Sequence, residues 1–445
     1  MKWIFSLLWM GALLEWGTTN RPYIHPFYLF ACDQTRLQDE MDQNDSFLSE
    51  LSGFDDPSLV NVSADWWKGV ELWKPSSTKM SALSQLQDTQ AKIWFATLST
   101  LEGTEVMLLS PFHLYRSLAA LSLGAGGTTA QSFHEHLGLV DSRCTGDQHF
   151  WIMRWQGRLL HHKILTRLEG LVSTGTWLVF RKGLQLRKSF IWELQWFYPE
   201  VQLRAANINQ PHMAEEAINS FICNATAGRV SNLVTGLSPS TNLVLASYIQ
   251  FKGKLKTRSQ CHGSEFQDFF NDGESKVQVS MMTWCGKLQY KIDPKYTLIK
   301  LPMNGTMYMM LVQPVQPDML QEIESKLEVN RITLQTGVVR LILPRFKWNS
   351  TYDVKELYRR MKLPDMMSGQ ANFSRLSNIQ ELTPDQVKQH VIFEVIEDGG
   401  KPTPADVPFS NTTITMEIRI DKPFFFRVYQ TLNQLLFLGR VKKLH

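Results

Sequence analysis

Ten residues near the start of the chain, Asn20-Arg21-Pro22-Tyr23-Ile24-His25-Pro26-Phe27-Tyr28-Leu29, concentrate more recognition chemistry than any other stretch. Arg21 supplies a cation, Tyr23 and Phe27 aromatic rings, Ile24 a branched aliphatic and His25 a titratable imidazole. Pro22 and Pro26 fix φ and remove two backbone donors, which disfavours helix and favours an extended form. The segment is too short to bury a core. On its residues alone it reads either as a disordered secreted N-terminus or as a recognition peptide.

The remaining reactive side chains form no catalytic set. There is no G-x-S-x-G, H-E-x-x-H or Walker sequence. His134 and His136 flank Glu135, and a two-residue spacing on a helix points them apart. His161 and His162 are adjacent and share no helical face. Both pairs read as surface polar histidines, so no metal, no cofactor and no enzymatic activity is expected. Gly124-Ala125-Gly126-Gly127-Thr128 lacks a lysine and follows a helix, which excludes a phosphate loop. Five cysteines, Cys32, Cys144, Cys223, Cys261 and Cys285, show no metal-binding spacing. An odd count in an oxidising compartment leaves one thiol free or paired between molecules. Cys32 stands in a polar stretch where pairing is its expected role. The others have apolar neighbours and are compatible with inert core residues.

The chain has 445 residues, of which 43% are hydrophobic, and a net charge of +4 with Lys and Arg scattered. That excludes a nucleic-acid-binding or polybasic membrane-binding character. Residues 1–19 read as a secretory signal: Lys2, an apolar run from Trp3 to Leu14, then Gly17-Thr18-Thr19 as a small-residue exit. The run is shorter than the ~20 residues a membrane span needs. N-x-Ser/Thr acceptors at Asn44, Asn61, Asn224, Asn304, Asn349, Asn372 and Asn411 agree with secretion and glycosylation.

Around these sites, residues 20–84 read as a flexible polar tail and residues 85–445 as the folded body. Ala91, Trp94, Phe95, Leu98 and Leu101 recur at helical spacing. Leu108-Leu109-Ser110-Pro111 reads as a strand end, an N-cap serine and a first-turn proline. They open a helix apolar nearly all round, which Gly124 is placed to end in a left-handed conformation. Strands are predicted at 176–180, 243–251, 307–312 and 338–343, and a helix at 214–221. Ile414, Met416, Ile418 and Ile420 alternate with polar residues as a one-face-buried strand. A hairpin is predicted from 424–428 and 435–441. Helices come first and strands late, without β-α alternation, so the class is α+β.

The body resembles the serpin family. The carriers, in order, are Ser110-Pro111 with Leu121-Ser122-Leu123-Gly124-Ala125, Ala217-Ile218-Asn219 with Thr226-Ala227-Gly228-Arg229-Val230, Phe251-Lys252-Gly253, Met281-Met282 before Gly286, Leu343-Pro344-Arg345-Phe346, Tyr352-Asp353-Val354, Lys422-Pro423-Phe424-Phe425-Phe426 and Leu438-Gly439-Arg440-Val441. The resemblance implies the serpin fold: one domain of three β-sheets, about eight or nine helices and an exposed reactive-centre loop. Inhibitory members insert that loop as a new strand in the main sheet, so its hinge must be small and free of proline. Here the matching stretch carries Gly399, Gly400, Lys401, Pro402, Pro404 and Pro408, with Gly400 where inhibitors have Thr. The prolines remove ladder donors and Lys401 adds a charge. A non-inhibitory serpin is therefore expected. Ser247 and Leu255 also replace the family's usual Asn and Trp.

The decapeptide resembles the angiotensin family of vasoactive peptides, with Pro22 where Val is common and Tyr28 at the variable place. That resemblance implies a secreted plasma prohormone released from its signal after Thr19. A renin-type aspartic protease would cut between Leu29 and Phe30. An angiotensin-converting dicarboxypeptidase would then remove Tyr28-Leu29, and the octapeptide ending at Phe27 would act on an angiotensin receptor to regulate blood pressure and salt balance. The family's tail-to-body disulfide implies a Cys32–Cys144 bond. The rival readings are an inhibitory serpin and a serpin carrying a small hydrophobic hormone.

Overall fold

The computed structural model describes residues 77–101, 105–137, 168, 170–255, 264–271, 275–303, 307–361, 366–379, 382–397, 414, 416–430 and 434–445. In chain order the elements are α1 (Ser77–Leu101), β1 (Val106–Leu109), α2 (Pro111–Ser122), α3 (Gly127–His136), β2 (Val172–Arg181), α4 (Lys188–Phe197), β3 (Val201–Ala206), α5 (Pro211–Ala225), β4 (Leu243–Leu255), β5 (Ser264–Phe270), β6 (Lys276–Ile292), β7 (Tyr296–Pro302), β8 (Met307–Pro314), α6 (Leu320–Lys326), β9 (Gln335–Pro344), β10 (Phe346–Asp353), α7 (Val354–Arg360), β11 (Gln386–Glu397), β12 (Met416–Arg419), β13 (Phe424–Gln430) and β14 (Gln434–Val441).

One sheet has five strands in the order β10-β11-β4-β2-β3. The other strands form a single nine-stranded ladder, β1-β14-β13-β8-β7-β6-β9-β12, with β5 also on β6. Two of the three expected sheets thus join, because the 17-residue β6 runs through both. The late hairpin is present: β13 and β14 pair antiparallel, Phe424 opposite Val441.

The helical stripe Ala91, Trp94, Phe95 and Leu98 is fully buried in the larger core cluster. Ser110 caps α2 as expected, its hydroxyl accepting from the backbone of His113 at 3.4 Å, with Pro111 in the first turn. Every residue of α2 except Tyr115 is buried. Gly124 departs from expectation. The positive-φ glycine nearby is Gly127, at +52°. Gly124 is required for closeness instead, since a Cβ there would lie 2.7 Å from the Cβ of Leu376. The strand predicted from Ile414 is also shorter. It spans Met416–Arg419 only, and Ile414 is exposed, while Ile418 and Ile420 face the core.

Alternation explains the central strands. In β11, Val387, Gln389, Val391, Phe393 and Val395 are buried at a period of two, as a strand packed on one face demands. In β4 both faces are covered. Leu243, Leu245, Ile249 and Phe251 face the two large core clusters, and Val244, Ala246 and Tyr248 face α5. Asn219 of α5 fastens the segment that follows, its side chain accepting from Leu233 and Val234 and donating to the Val234 carbonyl at 2.7 Å.

Candidate functional site

Within the five-stranded sheet, β4 and β11 form the seam that leads toward residues 399–404. These strands run parallel and pair directly along twelve registered positions, from Gln386–Val244 to Glu397–Leu255. The ladder therefore reaches the last described residue before the hinge. At its upper end Phe251 and Phe393, which are register partners, stack with centroids 4.9 Å apart at 16°. Phe346, Phe426 and Phe437 surround Phe393 at 4.9–6.0 Å. Such aromatic packing contributes ~0.5–1.5 kcal/mol per pair beyond area burial. At the lower end Asp385 accepts from the amides of Asn242 and Leu243 at 2.7 and 3.1 Å. Gln386 donates to the Thr235 carbonyl, tying β11 to the segment after α5.

The middle of the seam is polar. Thr176 in β2 is registered with Ser247 in β4, Ser247 with Gln389 in β11, and Gln389 with Tyr352 in β10. All four are at most 2% exposed. They make one row across the inner face of four adjacent strands. Ser247 donates across the seam to the Lys388 carbonyl at 3.1 Å. Gln389 donates to the Ser110 carbonyl at 3.4 Å, and Tyr352 accepts from the Leu108 amide at 3.0 Å. Beneath the row lies His113, whose Nε2 is 3.3 Å from the Gly175 carbonyl and 3.4 Å from the Thr176 hydroxyl. Burial and the Arg116 charge push His113 down to about 3, against a smaller opposite effect of the Gly175 carbonyl. The imidazole is therefore neutral near pH 7. Arg116 is itself pushed down to about 9 by burial and pairs with Glu200. This is a buried polar row packed on a neutral imidazole.

Sequence reading singled out Ser247 in this row and Tyr352 as part of a family stretch, but not Thr176, Gln389 or His113. Gln389 was detectable as the one polar residue among the inward positions of β11. Their assembly was not, because residues 176 to 389 are joined only by the sheet.

Among the described residues, no group of three or more His, Cys, Asp or Glu could hold a metal. His136 corrects the surface reading. It is half-buried, accepts from the indole of Trp94 at 3.1 Å, and is pushed down to about 4 by burial. Cys285 corrects another: it is 3% exposed but disulfide-bonded, not an inert thiol. Cys223 is a half-buried free thiol. Three glycosylation candidates are described, and each is exposed: Asn224 at the end of α5, Asn349 in β10 and Asn372. The peptide 20–29, Phe30, Cys32, Cys144, His161, His162, Asn44, Asn61, Asn304, Asn411 and the hinge residues Gly399 to Pro404 lie outside the described residues. Among the described residues no helix is long and apolar enough to cross a membrane.

Residues 89–444 match the family model described as "Serpin (serine protease inhibitor)". Angiotensinogen of Bos taurus is 26% identical over 97% of this chain and 96% of its own length. Angiotensinogen of Homo sapiens has the same identity and coverage. Protein Z-dependent protease inhibitor of Homo sapiens is 27% identical over 75% of this chain and 77% of its own. Among solved structures, mouse protein-Z dependent protease inhibitor superposes with a TM-score of 0.70 at 23% identity, covering 83% of this chain and all of that one. Uncleaved ovalbumin gives the same TM-score at 20% identity, over 80% of this chain and 98% of that one.

Proposed function

This chain belongs to the serpin family, and from that premise we propose that it is a secreted, non-inhibitory, angiotensinogen-like prohormone without enzymatic activity. The observation that carries the reading is coverage. An alignment over 97% of 445 residues must include most of the first 76, where the decapeptide lies. The human inhibitor relative matches 75% of the chain, less than the whole body.

Removal of residues 1–19 leaves Asn20 as the new N-terminus. A renin-type aspartic protease adds water across Leu29–Phe30, where two large apolar side chains flank an extended segment. A dicarboxypeptidase then hydrolyses the bond after Phe27 and releases Tyr28-Leu29. The remaining octapeptide offers Arg21 to an acidic receptor patch, its Tyr23 and Phe27 rings to apolar pockets, and His25 as a polar contact between them. Pro22 and Pro26 restrict the free peptide and so reduce the entropy lost on binding. The receptor is of the G-protein-coupled type, and the output is control of vascular tone, fluid and salt.

The body serves as the carrier. Pro402 and Pro404 would each leave a ladder acceptor unpaired if the hinge entered the seam, and that seam is already closed along β4 and β11. A Cys32–Cys144 bond would hold the cleavage site against the body. The test is expression in a secreting cell followed by N-terminal sequencing, with Asn20 expected first. Retention of residues 1–19 would overturn the prohormone reading. A Cys32→Ser variant cleaved at Leu29–Phe30 at an unchanged rate would remove the role of the bond.

A further inference from the structure

One face of β13 and β14 buries more positive charge than the carboxylates around it balance. Arg440 of β14 is 2% exposed and Arg427 of β13 is 1% exposed. Arg440 is registered with Phe425 of β13 and Met107 of β1, and Arg427 with Leu438 of β14. Side chains alternate along a strand, so both guanidinium groups lie on the same face as diagonal neighbours. That face is covered by α1 and α6, because Arg440 lies against Phe95 and Glu324, and Arg427 against the end of α6.

A single carboxylate answers these cations. Glu324 places Oε2 3.3 Å from Arg440 Nε. Burial pushes its carboxyl up, while Arg440, Arg427 and Lys442 pull it down. Lys442, half-buried just past β14, is pushed down by burial and by the Arg440 charge, against the pull of Glu324. Arg427 has an outlet of its own. It donates to the Glu324 carbonyl at 2.8 Å and to the Leu327 carbonyl at 3.3 Å, at the negative end of α6. Arg440 has none. Its guanidinium carbon is 5.3 Å from the centroid of the Phe95 ring. Its Nη1 and Nη2 are buried, and among the described residues neither has a hydrogen-bond acceptor. Burying charged donors without acceptors costs more than one ring face returns.

We propose that Arg440 is the centre of a buried site for a small inorganic anion of halide type. Its Nη1 and Nη2 groups donate to the ion, and Arg427 and Lys442 supply the surrounding positive charge. A monatomic ion suits this chemistry better than an oxyanion. The neighbours of Arg440 across the sheet and above it, Met107, Phe425 and Phe95, are apolar and buried. They offer no donors to the further oxygens of a phosphate or sulfate, which are usually met by paired forks. The ion would neutralise the face on which α1 and α6 rest, so its occupancy is read as stability of the body. The inference does not depend on the prohormone reading.

The experiment is urea unfolding of the intact full-length chain in mixtures of sodium chloride and sodium gluconate at constant ionic strength, which holds general screening fixed. An ion bound only by the folded chain lowers the unfolding constant as chloride rises. Well above half-filling the fall approaches tenfold for each tenfold rise in chloride. Sodium bromide should act in the same way. Arg440→Gln should abolish the dependence, whatever its absolute stability. Glu324→Gln removes the competing carboxylate and should shift the dependence to lower chloride. An unfolding constant indifferent to chloride in the parent overturns the proposal and leaves water to meet the Arg440 donors. A dependence that survives Arg440→Gln overturns it too. If Arg440→Gln does not fold, Glu324→Gln decides: a dependence identical to the parent's places the ion elsewhere and refutes the site.

Discussion

Lowering the pH from 7.5 to 5 tests how dry the floor of the seam is. His113 is 1% exposed, and burial with the Arg116 charge holds it near 3. Unfolding returns it to an ordinary value near 6.5. Because folding lowers the pKa, the unfolded chain binds the proton first. Stability is complete above pH ~6.5 and is lost as pH falls toward 3. At pH 5 the unfolded imidazole is charged and the folded one is bare, which costs about 2 kcal/mol. His136, held near 4, adds a similar loss of ~2 kcal/mol over the same interval. Replacing His113 by Asn keeps a polar side chain and removes the titration. Urea midpoints at pH 7.5 and pH 5 for the parent, His113→Asn and His136→Asn measure the difference directly. Each variant should lose about 2 kcal/mol less than the parent between the two pH values, whatever its absolute stability. A His113→Asn protein that loses as much as the parent would mean that the native imidazole already takes a proton at pH 5. The polar row would then be hydrated, and the picture of a sealed seam would be wrong.

Other outcomes follow from the same geometry. Phe393→Ala removes a fully buried ring from the stack with Phe251, and should cost about 3–5 kcal/mol in urea unfolding. A loss below 1 kcal/mol would show that the upper seam does not depend on that packing. Incubation with a panel of serine proteases should give cleavage or no reaction, but no SDS-stable complex. One such complex refutes the non-inhibitory reading. The exposed sites Asn224, Asn349 and Asn372 should each lose a glycan mass on Asn→Gln substitution in a secreting cell, and an unchanged mass excludes that site.

The fold was legible where local signals and tertiary packing agree. The inward positions of β11 alternate, Ser110-Pro111 opens α2, and the hairpin of β13 and β14 follows from two apolar runs. It was illegible where one signal has two physical causes. Gly124 after a helix reads as a left-handed cap, yet it is needed because Leu376, 252 positions later, approaches it. Cys285 among apolar neighbours reads as a small hydrophobe, yet it is disulfide-bonded. His136 reads as a surface residue because its polar partner, Trp94, comes from another helix. The peptide end of the chain was readable in a different sense. Its chemistry depends on a short contiguous sequence and not on packing, so the residues themselves carry the expectation.

That expectation has one direct test. The secreted full-length chain is incubated with renin-type aspartic proteases, and the released peptide is identified by mass spectrometry and N-terminal sequencing of the remainder. The prohormone account predicts Asn20–Leu29 as the product and Phe30 as the new first residue of the body. Release of a different peptide, or an N-terminal tail left intact by every such protease, would contradict it.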